Sequence, residues 1–165
     1  MTSSRLETGR LLATLAASRT GTLGECGSGC GVGSAWLTSA ARKGSRIITA
    51  ELDAGLAGAV TELFDDDPNV EVINGDWGAL RDYAPFSLLF LDVREAKRSG
   101  ADVVADLLEP GGIVVLDDFT PCDTWPPTYQ GRVDLIRQQW LTDDRFTTVE
   151  VAVATDAAVL IAALR

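Results

Sequence analysis

Gly21-Thr22-Leu23-Gly24-Glu25-Cys26-Gly27-Ser28-Gly29-Cys30-Gly31-Val32-Gly33-Ser34-Ala35-Trp36-Leu37 is the stretch whose reading decides the fold. It reads as a short strand, a glycine-dense turn and the opening turns of a helix. Gly27, Gly29 and Gly31 form a G-x-G-x-G turn, with Glu25 two residues ahead of it. Without a Cβ, such a turn can take positive φ and let backbone approach a ligand closely. A dinucleotide-binding turn needs a small residue three beyond its second glycine. Here Val32 occupies that place, so the match to the dinucleotide pattern is poor. A plain strand-to-helix turn with spare glycines is the remaining structural alternative.

Working outward, strands and helices alternate. Upstream, Ser4-Arg5-Leu6-Glu7 has the S-x-x-E form of a capping box, and Leu6, Leu11, Leu12 and Leu15 fall on roughly one face, which predicts a leading helix over 4–18. The first strand covers 21–26. The helix after the turn covers 33–43 and is stopped by Arg42-Lys43 and then Gly44. Arg46 to Glu51 is a second strand, and Asp53 is placed to cap a helix carrying Leu56, Val60, Leu63 and Phe64. The acidic run Asp65-Asp66-Asp67-Pro68-Asn69 reads as a solvated loop before a third strand, Val70 to Ile73.

Phe86-Ser87-Leu88-Leu89-Phe90-Leu91-Asp92 is nearly continuous apolar strand, as expected at the centre of a parallel sheet. A helix is expected from there to Leu108, with Val103, Val104, Leu107 and Leu108 inward, broken by Pro110-Gly111-Gly112; Ile113 to Leu116 is the fifth strand. Phe119 to Tyr129 reads as irregular, and Val133, Ile136, Arg137 and Trp140 mark a further helix. Phe146 to Ala154 and Ala157 to Leu164, joined only by Thr155-Asp156, imply an antiparallel pair. The expected fold class is α/β: a Rossmann-like, doubly wound, mostly parallel seven-stranded sheet with a C-terminal antiparallel strand pair. Length alone predicts a single domain over residues 1–165.

Composition narrows the function. Hydrophobic content of 46% and charged content of 23% are those of a soluble globular protein. No apolar run approaches the roughly 18 residues of a membrane helix. Met1-Thr2-Ser3-Ser4-Arg5 lacks the layout of a signal peptide, so a cytoplasmic location is expected. Cys26, Cys30 and Cys122 include no C-x-x-C pair, which argues for free thiols over a zinc site or a disulfide framework. A net charge of −10, with no basic patch beyond Arg94, Lys97 and Arg98, works against nucleic acid as a partner. The chain has no histidine. Acid–base chemistry near neutral pH therefore falls to a carboxylate, lysine, tyrosine or a metal-bound group.

Acidic residues recur at the carboxyl ends of the strands, where open α/β sheets bind their ligands. Glu51 ends the second strand, 24 residues after Gly27, and could accept from both hydroxyls of a ribose. Asp92 ends the fourth strand and the pair Asp117-Asp118 ends the fifth. Three unpaired carboxylates in one cleft repel, so one must be protonated or a cation must sit among them. Oxygen-only ligands favour a hard ion such as Mg²⁺ or Ca²⁺.

The E-x-G-x-G-x-G run at Glu25–Gly31 resembles the first motif of class I S-adenosylmethionine (SAM) dependent methyltransferases, whose turn holds the amino-acid end of SAM. Asn74-Gly75-Asp76-Trp77 is similar to their G-D segment, where the acid accepts from the adenine amino group and the next residue shapes the base pocket. The cofactor-binding set so implied is Glu25, Gly27, Ser28, Gly29, Ser34, Glu51, Leu52, Asp76, Trp77 and Asp92. The run from Leu107 through Pro110-Gly111-Gly112 to Asp117-Asp118-Phe119 resembles the L-x-P-G-G-x-x-x-x-D-[DN] stretch of bacterial O-methyltransferases similar to catechol O-methyltransferase. That resemblance implies a divalent cation on Asp92, Asp117 and Asp118, completed by the substrate's oxygens.

The chain departs from this pattern in three places. Glu95 stands where the catechol-type enzymes place a lysine base, with Lys97 close by in sequence. The histidine that many bacterial relatives carry after the strand-four acid is missing. Gly33 aligns with the serine that contacts the cofactor's carboxylate, with Ser34 beside it.

The expected function is SAM-dependent methyl transfer to a small molecule, at oxygen, with Asp92 or Asp118 as base if no metal takes part. Phe119, Trp125, Pro126, Pro127 and Tyr129 would wall the acceptor side. The alternatives are a SAM-binding module without catalysis and a nicotinamide-dependent reductase. Pairing as a homodimer would complete the pocket of so small a domain.

Overall fold

Side-chain alternation along the central strands puts apolar surface on both faces of one sheet. In β1 (Thr22–Cys26), β2 (Arg46–Glu51) and β4 (Phe86–Leu91), residues Leu23, Ile47, Leu88 and Phe90 point to one face. Cys26, Ile48, Ala50, Leu89 and Leu91 point to the other. Every residue of β4 is buried, which explains its unbroken apolar sequence. The computed structural model describes residues 4–165; Met1 to Ser3, part of the stretch read for a leader, lie outside them.

The first face is covered by α1 (Leu6–Ala17) and α2 (Val32–Ala40), through Leu12, Ala16 and Leu37. The second is covered by α4 (Arg94–Arg98), α5 (Ala101–Ala105) and α6 (Leu135–Thr142), through Ala96, Val104 and Trp140, with Leu80 of a 3-10 helix at Trp77–Tyr83. α3 (Ala54–Leu63) joins β2 to β3 (Val70–Asn74) and is capped as expected, Asp53 accepting from the Gly55 and Leu56 amides. With β5 (Leu108–Phe119), β8 (Phe146–Ala154) and β9 (Ala157–Leu164) the sheet has seven strands, in the order β3-β2-β1-β4-β5-β9-β8. β1 to β5 run parallel and the last pair antiparallel. This is the Rossmann-like sheet expected from the sequence. Its strand order reverses between β1 and β4, which opens a crevice beyond their carboxyl ends. Among the described residues no helix is long and apolar enough to cross a membrane.

Four local expectations are corrected. α1 starts at Leu6 with Arg5 at its N-cap, so Ser4 stands one residue too early to act as a capping box; Arg5 instead grips Asp156 through two hydrogen bonds of 2.8 and 2.9 Å. α2 ends at Ala40, not Lys43, because Ala41 turns extended and Arg42 to Ser45 forms the turn into β2. The helix expected to reach Leu108 is two short helices parted at Gly100 (φ 93°), and Leu108 already belongs to β5. Pro110-Gly111-Gly112 therefore lies inside β5, where pairing jumps from Phe86–Leu108 to Leu88–Ile113. Lastly, the segment read as irregular ends in a hairpin of β6 (Thr128–Tyr129) and β7 (Arg132–Val133). Its turn residues Gln130 and Gly131 both have positive φ, as a two-residue hairpin loop requires.

Candidate active site

The crevice is stitched together by backbone hydrogen bonds at the strand ends. The amide of Gly27 donates to Ala50 O at 2.9 Å, that of Asp92 to Cys26 O at 3.1 Å, and that of Gly75 to Glu51 O at 2.9 Å. The ends of β1, β2, β3 and β4 are thus one continuous rim. Gly27, Gly29 and Gly31 all have positive φ (90°, 52° and 83°), so the glycine spacing is a backbone requirement of the turn.

Glu51 is the hinge of this rim. Its Oε2 accepts from the Gly29 amide at 2.9 Å and its Oε1 from the Asp53 amide at 3.0 Å. Each oxygen keeps a second lone pair with which to accept. Asn74 donates to the carbonyls of Glu51 and Leu52, which draws the β3 loop alongside; Leu52 itself is 74% exposed. Asp76 caps the 3-10 helix, one carboxylate oxygen accepting from Gly78 at 2.8 Å. Trp77 is half-buried and packs against the apolar cluster of the second face.

Glu25 and Ser34 lie beneath the turn. Both are buried, and the Ser34 hydroxyl donates to the Glu25 carboxylate. Thr49 of β2, which the sequence reading passed over, donates to the same oxygen at 2.7 Å. The other oxygen lies against Gly33, where any Cβ would stand 2.0 Å from it. Hence a glycine sits where related motifs carry serine: the space is taken by the buried carboxylate. Ser28 is buried too, with its hydroxyl unpartnered.

Burial pushes Glu25 up to about 7, against the lowering effect of its hydroxyl partners. A folded-state pKa above the unfolded value means the folded chain holds an extra proton between about pH 4.3 and 7. Its contribution is therefore complete below that window and lost as pH rises through 7. From this group we expect stability to fall by about 3 kcal/mol from pH 4 to pH 8. Denaturant titrations across that range should show the decline, and Glu25→Gln should flatten it; an unchanged slope in the variant would contradict the assignment.

On the far side of Gly27, three carboxylates converge. Oxygens of Asp92, Asp117 and Asp118 all lie within 4.8 Å of one another. A bulge in β5 brings them there: Asp117 and Asp118 together oppose a single residue of β9, between the pairs Leu116–Leu160 and Phe119–Ala158. Asp118 takes φ 63° in it, a conformation aspartate tolerates better than most residues. Burial, then the charges of Asp118 and Asp117, raise Asp92 to about 7; burial also raises Asp117. Lys97, 7% exposed, reaches into the cluster, its Nζ donating to Asp117 O at 2.8 Å and lying 3.2 Å from an Asp118 oxygen. Its position on α4, one turn beyond Val93, was the available signal: that face of the helix returns over β5.

Beside Asp118 and Lys97 opens a cavity of about 810 Å³. Phe119 and Tyr129 line it as the sequence suggested, together with the β6–β7 hairpin and the start of α6. Trp125 is 65% exposed and Pro127 is buried, and neither lines the cavity. Arg137, fully buried, closes its floor. It donates to Thr120 O at 2.7 Å, stacks 5.1 Å over the Phe119 ring, and pairs with Asp134 (3.3 Å) and Glu150 (3.1 Å). Sequence spacing placed Arg137 in one helix with Trp140 but did not reveal these partners.

Residues 25–119, from the acid of the glycine motif to the end of β5, match the family model for a methyltransferase domain. No curated protein matches the chain in sequence. Among solved structures, a methyltransferase from Geobacter sulfurreducens is 22% identical, with 98% of this chain and 79% of that one covered and a TM-score of 0.77. An O-methyltransferase from Bacillus cereus in complex with SAH is 19% identical (99% and 83% covered, TM-score 0.75). The O-methyltransferase TomG from Streptomyces achromogenes, involved in tomaymycin synthesis and solved with SAM, is 20% identical (99% and 82%, TM-score 0.73). With more than half of its length matched, the chain belongs to the methyltransferase domain family.

Proposed function

We propose that this methyltransferase moves a methyl group from SAM to a hydroxyl oxygen of a small-molecule acceptor, within one domain spanning residues 1–165. The observation that carries the reading is the Glu51 carboxylate bound to the Gly29 amide, which makes the glycine turn and the acid ending β2 parts of one binding mouth. The remaining lone pairs of Glu51 would accept from both ribose hydroxyls. The free oxygen of Asp76 would accept from the adenine amino group, with Trp77 against the base and Leu52 beside it. The amides of Gly27, Ser28 and Gly29 would hold the amino-acid end. Glu25 and Ser34, turned inward, would brace the turn from below.

Bound SAM supplies an electrophilic methyl group and a neutral thioether as leaving group. The chain's part is to hold acceptor oxygen, methyl carbon and sulfur in line, and such alignment can contribute ~7–11 kcal/mol. Asp92, raised to about 7, is matched to taking the acceptor's proton near neutral pH. Asp118 is less suited, because it is exposed and paired with Lys97. The donor set of Asp92, Asp117 and Asp118 also fits a hard divalent ion: all are oxygen ligands, within reach of one another, and repelling in its absence. Mg²⁺ or Ca²⁺ held there would lower the pKa of the acceptor hydroxyl.

Calorimetric titration with SAM tests the reading. One-to-one binding is expected, and no binding by the wild-type protein would overturn it. For the ion, Mg²⁺ should raise the melting temperature at pH 7.5 and Asp117→Asn should remove that rise; the same melting temperature with Mg²⁺ and with chelator takes the ion out of the proposal.

A further inference from the structure

The cavity beside Asp118 is cationic in a protein of net charge −10. Five of the chain's 14 basic residues line it: Arg94, Lys97, Arg98, Arg132 and Arg137. Two of these are neutralised, Lys97 by Asp118 and Arg137 by Asp134 and Glu150. Arg94, Arg98 and Arg132 remain, exposed and with no ion pair or side-chain hydrogen bond among the described residues.

Local structure does not ask for this arrangement. Arg94 and Arg98 stand at i and i+4 on α4, where like charges repel. Arg94 also occupies the first turn, the helix end that disfavours a cation. Arg132 is brought opposite them by the β6–β7 hairpin, a sheet of its own with only two residues in each strand. Two separated segments thus present three unneutralised guanidiniums to one space of small-ligand size. Guanidinium is the side chain that best grips a carboxylate or phosphate in a two-pronged hydrogen bond.

We propose that Arg94, Arg98 and Arg132 bind an anionic oxygen group, carboxylate or phosphate, on the methyl acceptor. The acceptor then spans the cavity, with its hydroxyl at Asp92 and its acid group among the three arginines. This deepens the methyl-transfer reading and rests on it. Phe119 and Tyr129 give the same cavity an aromatic surface for the body of such an acceptor.

The probes are 3,4-dihydroxybenzoate, phenyl phosphate and uncharged 3,4-dihydroxybenzamide, each titrated by calorimetry into the full chain with SAH present. We expect at least one anion to bind more tightly than the amide by about tenfold. Replacing all three arginines by alanine should abolish that preference while SAM affinity stays unchanged. Arginine-to-lysine replacement should restore it in part, since the charge returns without the fork. Equal binding of anions and amide, no binding of either anion, or a preference that survives the triple substitution would each overturn the proposal. So would tight binding of a single-stranded RNA oligonucleotide lost in the triple variant, because the arginines would then serve a polynucleotide. An anion preference in a protein that does not bind SAM would overturn the methyl-transfer reading and leave the anion site standing.

Discussion

Glu51→Ala is expected to weaken SAM binding by at least about a hundredfold, since two hydrogen bonds to a carboxylate contribute about 1.5–3 kcal/mol each, net of water. The carboxylate acts twice. It holds the Gly29 and Asp53 amides, fixing the turn against the end of β2, and in the proposed complex its remaining lone pairs would accept from the ribose. Alanine removes both functions. Glu51→Gln keeps one acceptor oxygen and should lose about tenfold. Because Glu51 is only half-buried, the melting temperature should move little, which separates lost recognition from lost fold. A decrease of less than about threefold in the alanine variant, measured by calorimetry, would mean that the ribose lies elsewhere.

The second large effect concerns stability. Arg137→Met should destabilise the chain by about 3–5 kcal/mol, the usual consequence of removing one partner from a buried ion pair. Methionine keeps much of the volume and can still pack on Phe119. It leaves Asp134 and Glu150 facing each other without a cation, and Thr120 O without its donor. For a chain of this length the melting temperature should drop by about 10 °C or more. Arg137→Met with Glu150→Gln should recover part of the loss, because the stranded charge is removed. A single variant that melts within about 2 °C of the wild type would show that the pair contributes nothing net, as some buried pairs do.

Period-2 alternation and continuous apolar strands were readable from composition along the chain, because burial on both faces of a parallel sheet leaves no polar position to obscure them. β4, every residue of which is buried, illustrates this. The turn was legible for a different reason: positive φ demands glycine at 27, 29 and 31. Helix boundaries were less legible. Arg42-Lys43-Gly44 is a good stop signal, yet α2 had already ended at Ala40. Pro110-Gly111-Gly112, a breaker by local rules, is absorbed as an irregularity of a strand whose neighbours hold it on both sides.

The site divides the same way. The residues near the glycine motif, the acid ending β2, the Asp76 loop and the three carboxylates could be named because each follows a strand, and the carboxyl ends of parallel strands meet in one crevice. What the chain alone did not reveal depends on partners far away in sequence. Glu25 and Ser34 turn under the turn because Thr49 and Gly33 make room for a buried carboxylate there. Lys97 enters the acidic cluster only because a bulge in β5 brings Asp118 toward it. The sequence by itself determined the sheet, the turn and the sign of the charge at each strand end, since those are local consequences of backbone geometry and side-chain period. Tertiary structure alone decided which charges neutralise one another and which remain for a ligand, because that depends on distances across segments that no local pattern encodes.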